Sequence, residues 1–349
     1  MTNGKGYSAA GGAVVLALLA ALCYGLSVPL GRLLLEQLSP TFLAALLYLG
    51  AALAMLPARL LRQEKAEARL ARADLPYVAA MVALDIPAPI LLLFGLHTTA
   101  PATASLLSNF EIVATALVAL FLFREAIGRR MWLAIGAITL ASAVLSLNGL
   151  GGVLWSPGAL LVLLACVCWG VENNMTNRLS LKNPADIVLV KGLGARVGAL
   201  VIAVATGAVG GAMLPVALAL LLGSVSYGLS ILLYIRAQRS LGAARTSAYY
   251  AVAPFIGMAI SFVVFREPPS ASFFIALPLM VLGAVLAVTE HHAHRHRHAA
   301  LTHTHRHSHA DGHHEHAHAV TPTGEHSHPH AHTPVEHAHP PTPDAHHRH

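Results

Sequence analysis

Ten stretches of about twenty mostly apolar residues follow one another along this chain, at 13–35, 40–58, 75–96, 100–122, 130–149, 157–178, 185–208, 213–235, 243–264 and 271–289. About twenty such residues are what an α-helix needs to cross a hydrocarbon core of about 30 Å. Lipid offers no water to the backbone, so each run must satisfy its own N–H and C=O groups, which a helix does. The expected fold class is therefore an all-α polytopic membrane protein with ten transmembrane helices. The breaks between runs carry turn chemistry: SPT (39–41), TTAP (98–101), NGLGG (148–152), KNPAD (182–186) and REPPS (266–270).

Composition agrees with lipid as the solvent. Hydrophobic residues make up 56% of the 349 and charged residues 11%, against about 25% charged in soluble domains. The net charge of +6 does not argue for nucleic acid, because the basic residues fall in short loops and leave no clustered face. Cys23, Cys166 and Cys168 lie inside apolar runs, with no Cys-x-x-Cys, and read as packing residues. The first run continues past Pro29 to Leu35, too long for a signal-peptide core, and is expected to be retained. No Gly-x-Ser-x-Gly, phosphate-cradling Gly-rich loop or His-Glu-x-x-His appears, so no enzyme is expected.

Basic residues set the expected orientation. With residues 1–12 in the cytoplasm, fourteen Lys or Arg fall inside, among them five in 59–74, against Arg32 and Arg266 outside. Both termini are then cytoplasmic. The halves also repeat. Cys23-Tyr24-Gly25 returns as Cys168-Trp169-Gly170, Phe123-Arg124-Glu125 as Phe265-Arg266-Glu267, and Ala143-Val144-Leu145 as Ala284-Val285-Leu286. Five helices per half make the second repeat inverted, so 13–149 and 150–290 form two five-helix units with a site expected at their interface near the midplane.

On these motifs and the five-plus-five arrangement, residues 13–289 resemble the EamA branch of the drug/metabolite transporter superfamily. The resemblance implies a bacterial inner-membrane carrier that moves small organic molecules by alternating access. It implies no particular substrate. A homodimer stands as an expectation of assembly.

Charged groups at a helix centre cost about 2.5–3.5 kcal/mol each to insert, so those present normally face a cavity or a partner. Five stand out: Asp85, Glu111, Glu172, Lys191 and Arg196. The polar stretch WGVENNMTN (169–177) places Asn173, Thr176 and Asn177 on one stripe, Trp169 a turn above, and Glu172 beside it. Glu172 and Lys191 each lie about 9 Å in from the cytoplasmic edge at about 1.5 Å per residue, and are expected to pair. Arg196 is expected to meet Asp85 or Glu111. Pro87 and Pro89 break the third run beside Asp85 and mark it as lining a wet cavity. Tyr227, Tyr234 and Tyr250 supply aromatic groups opposite the carboxylates. Asp85 and Glu111 are candidates for exchanging a proton during transport. For each of these residues interhelical packing is the competing role.

From 291 to 349 the composition changes to His, Pro and Thr, with 22 of the chain's 23 histidines. Such a segment is expected to be disordered. Neutral imidazole binds Zn, Ni and Co, and His303, His305, His307, His309, His313, His314, His316, His326, His328 and His330 are the candidate ligands. The competing reading is a loose buffer that gains charge as pH falls through about 6.5. Three functions stay open: a carrier of a small organic metabolite with a metal-binding regulatory tail, a carrier of a divalent transition metal or its chelate, and a membrane-anchored metal buffer or sensor. None requires a cofactor.

Overall fold

A computed structural model describes residues 4–60, 70–123, 127–146, 156–179, 182–241, 246, 249–266, 268–289, 294–297, 301–307, 326–332 and 336–339. Several expected runs form unbroken helices: α3 (Pro40–Leu60), α8 (Arg129–Ser146), α9 (Pro157–Leu179) and α10 (Pro184–Ala205). Others are broken. The first run divides into α1 (Gly4–Gly25) and α2 (Ser27–Leu34), the third into α4 (Leu75–Asp85) and α5 (Pro87–Gly95), and the fourth into α6 (Pro101–Leu107) and α7 (Phe110–Phe123). The eighth runs through α11 (Met213–Gly223), a π-helical segment (Ser224–Leu229) and α12 (Ser230–Leu241). α13 (Ala253–Phe265) and α14 (Ala271–Val288) follow.

Local chemistry explains these boundaries. Pro sits at the start of α5, α6, α9 and α10, where its missing N–H costs nothing. The Asn183 side chain caps α10 by accepting from the Ala185 N–H at 2.9 Å, and Ser270 caps α14 through the Phe273 N–H at 3.2 Å.

Among the described residues, eight helical rods are long and apolar enough to cross a membrane, where ten were expected. The other two expected spans are present as helices that fall short of that standard. α13 has 13 residues, about 20 Å of helix. α8 opens on Arg129 and Arg130, which lower its hydropathy, and residues 147–149 of that run lie outside the described residues.

The core forms where α3, α5 and α9 meet. Leu43, Leu47, Leu93, Val162, Ala165 and Trp169 are all buried there. α1 packs on α12 and α13, α7 on α9, and α8 on α14. The outside is as apolar as the inside: Phe121, Leu133, Val201 and Val263 are each more than 60% exposed. A surface of that kind suits lipid and not water.

The tail departs from expectation. Its described parts are extended and paired antiparallel: β1 (294–297) with β4 (336–339), and β2 (301–307) with β3 (326–332). The physical reason is the strict His-x-His alternation, whose period of two is that of a strand. In the second pair His303 stands opposite His330, His305 opposite His328 and His307 opposite His326. His309, His313, His314 and His316 lie outside the described residues, as do the expected repeat boundary at 150 and the start of the tail at 291.

Candidate functional site

The polar centre of the bundle is built on a close approach of helix backbones. A Cβ on Gly192 would stand 2.8 Å from the Tyr48 carbonyl oxygen and 3.0 Å from the Ala52 nitrogen. Only glycine lets α10 lie this close to α3. The neighbouring Lys191 is thereby brought to the buried end of α4, where the chain breaks before Pro87. There its Nζ lies 3.2 Å from Asp85 Oδ2 and 3.0 Å from Glu172 Oε1 on α9. The Tyr48 hydroxyl donates to Asp85 Oδ1 at 2.8 Å. The Thr176 hydroxyl, one turn along α9, donates to Glu172. Asp85 is fully buried and Glu172 is 1% exposed, so the ammonium and the two hydroxyls replace the water that both acids have lost.

Glu111 has a different neighbourhood. Gly170 allows α9 to touch α7 at Ala114, and this sets Asn173 one turn on against the start of α7. The Asn173 amide donates to Glu111 Oε1 at 2.6 Å and to the Thr115 hydroxyl at 3.4 Å. Asn174 fastens the same crossing by donating to the Thr115 and Gly170 carbonyls. Glu111 is half-buried and lies within electrostatic reach of Lys191 and Glu172.

Beside the acids, and joined to them through Tyr48, stands a wall of tyrosines. Tyr24 on α1 lies 6.3 Å from Tyr227 and 5.6 Å from Tyr250, centroid to centroid. Tyr227 packs on Tyr48 at 5.5 Å with the rings tilted by 57°, and Tyr234 meets Tyr250 edge-on at 4.9 Å. The π-helical segment aims Tyr227 into this group while Ser226 and Ser230 donate to the Cys23 and Ala20 carbonyls of α1 at 2.7 and 2.9 Å. A cleft opens beside Tyr24, lined by Ser27, Ser105, Ser108, Pro254 and Gly257. Ser105 is 1% exposed, and among the described residues its hydroxyl has no hydrogen-bond partner.

The expected pairing of Glu172 with Lys191 is present. The expected meeting of Arg196 with Asp85 or Glu111 is not, because Lys191 already holds Asp85. Five residues along α10 turn Arg196 about 140° away from Lys191, and its side chain is half-buried. Trp169 is buried in the core. Asn177 is exposed and apart from the cluster. His97 is exposed near Phe94. Tyr48 and Thr115 belong to the site and were missed by sequence reasoning. A lone Tyr within the apolar run of α3 is the signal that marks the first.

The EamA-like transporter family matches residues 11–147 and again 156–289. The chain belongs to the EamA-like transporter family. This transporter is 27% identical over 289 residues, covering 76% of its own chain and 83% of the relative, to an uncharacterized transporter of Methanothermobacter thermautotrophicus (strain ATCC 29096 / DSM 1053 / JCM 10044 / NBRC 100330 / Delta H). It is also similar to a protein of known crystal structure, with a TM-score of 0.57 at 19% identity, covering 80% of this chain and 98% of that one. At that identity the likeness shows the fold alone. The family matches leave out the tail.

Proposed function

We propose that this EamA-like transporter is a secondary carrier that moves a small organic metabolite by alternating access, through a site formed by Asp85, Glu111, Glu172 and Lys191 with the tyrosines beside them. The observation that carries the reading is the buried Asp85–Lys191–Glu172 network beside an aromatic wall. Ionisable groups at such depth are usually functional. Alternating access is our reading of ten spans as two inverted repeats, which the two separate family matches support. Both termini are proposed to be cytoplasmic from the distribution of Lys and Arg, and the membrane to be a bacterial inner membrane from the family resemblance.

The tail is proposed to bind Zn, Ni or Co in the cytoplasm and to regulate the carrier. The backbone register of β2 and β3, which sets His303, His305 and His307 opposite His330, His328 and His326, supports this.

Counterflow into proteoliposomes, run with amino acids, nucleobases and other small metabolites, tests the carrier. Exchange of one class by wild type and its loss in Lys191→Met and Glu111→Gln are expected. No exchange of any of them by folded wild-type protein counts against it. Thermal unfolding of protein truncated after Glu290 separates the roles of metal. A ligand at 100 times its Kd stabilises by about 2.7 kcal/mol. Zn, Ni or Co are expected to stabilise only the full chain, and stabilisation of the truncated protein would place metal in the bundle.

A further inference from the structure

The charges and rings of this site specify more than a small organic solute. Around the centre stand three carboxylates, Asp85, Glu172 and Glu111, and one ammonium, Lys191. Lys191 is shared by the first two. Glu111 is held by a neutral amide, and Arg196 points to another flank of α10. The formal balance of the four groups is therefore negative. Beside them, the ring centroids of Tyr227 and Tyr250 lie 6.3 and 5.6 Å from that of Tyr24, at interplanar angles of 69° and 31°. The Glu111 N–H donates to the carbonyl of Ser108 at 3.1 Å, and Ser108 lines the same cleft as Tyr24, so Glu111 starts its helix beside that cleft.

Ring faces attract cations and do nothing for anions, and a carboxylate without a cationic partner in a water-poor site favours an incoming positive charge. The cleft beside Tyr24 has room for about one water in this closed arrangement; the buried Ser105 hydroxyl on its wall, with no hydrogen-bond partner among the described residues, is a polar group to orient a ligand that enters as the helices part. Building on the carrier reading above, we infer that the transported molecule is an organic cation, its ammonium held between Glu111 and the rings of Tyr24, Tyr227 and Tyr250.

The test uses purified full-length protein in detergent and four probes of one size: benzylamine, which is protonated at neutral pH, benzyltrimethylammonium, benzyl alcohol and benzoate. Titration calorimetry is expected to show binding of one or both cations and at least about tenfold weaker binding of the alcohol and of benzoate. Glu111→Gln is expected to weaken the cation at least about tenfold, while Glu111→Asp, which keeps the charge, stays within a few-fold. Tyr250→Leu, which removes the ring, is expected to bind about two- to tenfold more weakly than Tyr250→Phe, which keeps it. Thermal unfolding of each variant confirms that it is folded. Benzyl alcohol or benzoate binding as tightly as the cations, no binding of either cation, or full affinity in Glu111→Gln would each overturn the inference. Counterflow separates it from the carrier reading. Cation binding without exchange sinks the carrier and leaves the site, whereas exchange of neutral or anionic solutes alone keeps the carrier and sinks the cation.

Discussion

Lys191 Nζ lies 3.2 Å from Asp85 Oδ2, although the two residues are more than a hundred positions apart and each was a costly insertion on its own. Their contact, shared with Glu172, makes one network from three liabilities. Removing the ammonium leaves two acids buried without their counter-charge. Lys191→Met is expected to cost about 3–5 kcal/mol, read as a lower Tm in detergent. Combining it with Asp85→Asn and Glu172→Gln is expected to restore most of that loss without restoring transport. A single Lys191→Met variant that melts with wild type would show that the network contributes little.

Tyr48 and Tyr227 pack on each other, but only the Tyr48 hydroxyl reaches Asp85. Tyr48→Phe is therefore expected to destabilise by about 1–3 kcal/mol, since it strips a donor from a buried carboxylate. Tyr227→Phe is expected to change stability by less than half of that. Equal shifts in thermal unfolding would contradict the assignment.

Gly192 and Gly136 make a matched pair of tests. A methyl group on Gly192 would press on the backbone of α3, whereas one on Gly136 meets nothing within 4 Å. Gly192→Ala is expected to lower stability by about 1–3 kcal/mol and to impair transport by displacing Lys191. Gly136→Ala, in a helix interior, is expected to raise stability by about 0.5–1 kcal/mol. Tm and counterflow on both variants check this.

The paired strands of the tail predict a period of two in metal affinity. Replacing His303, His305 and His307 together by Ala is expected to weaken Ni binding at least about tenfold. Replacing the alternate residues Thr302 and Thr304 by Ala is expected to leave it within twofold. Calorimetry on the full chain decides, and equal losses in both would mean that pairing does not organise the ligands.

Much of the fold was legible because hydropathy reports burial in lipid directly, and prolines at 87, 101, 157 and 184 coincide with helix starts. The Glu172–Lys191 contact was legible from depth alone. Arg196 was misplaced by the same arithmetic, because depth says nothing about rotation around the helix axis. The break at Leu26 lies just before Pro29, whose missing N–H leaves the Gly25 carbonyl without its i→i−4 donor, a mark that went unread; the break at Ser108–Asn109 carries no proline and left no mark in the sequence, and neither did the π-helical turn. The tail was judged on composition, which ignores alternation, and so its strand pairing was missed.

The π-helical turn at Ser224–Leu229 and the breaks beside Leu26, Ile86 and Ser108 have a consequence for the mechanics of the bundle. Each has already given up part of its i→i−4 ladder next to the tyrosines and acids. Bending a continuous helix there would mean breaking those bonds first. In this molecule four rods are articulated at their middle, so their end segments are free to tilt as rigid levers about the site while every other turn stays closed. Amides at these joints should trade hydrogen for deuterium well before those of α9 and α10, whose ladders run unbroken past the same centre.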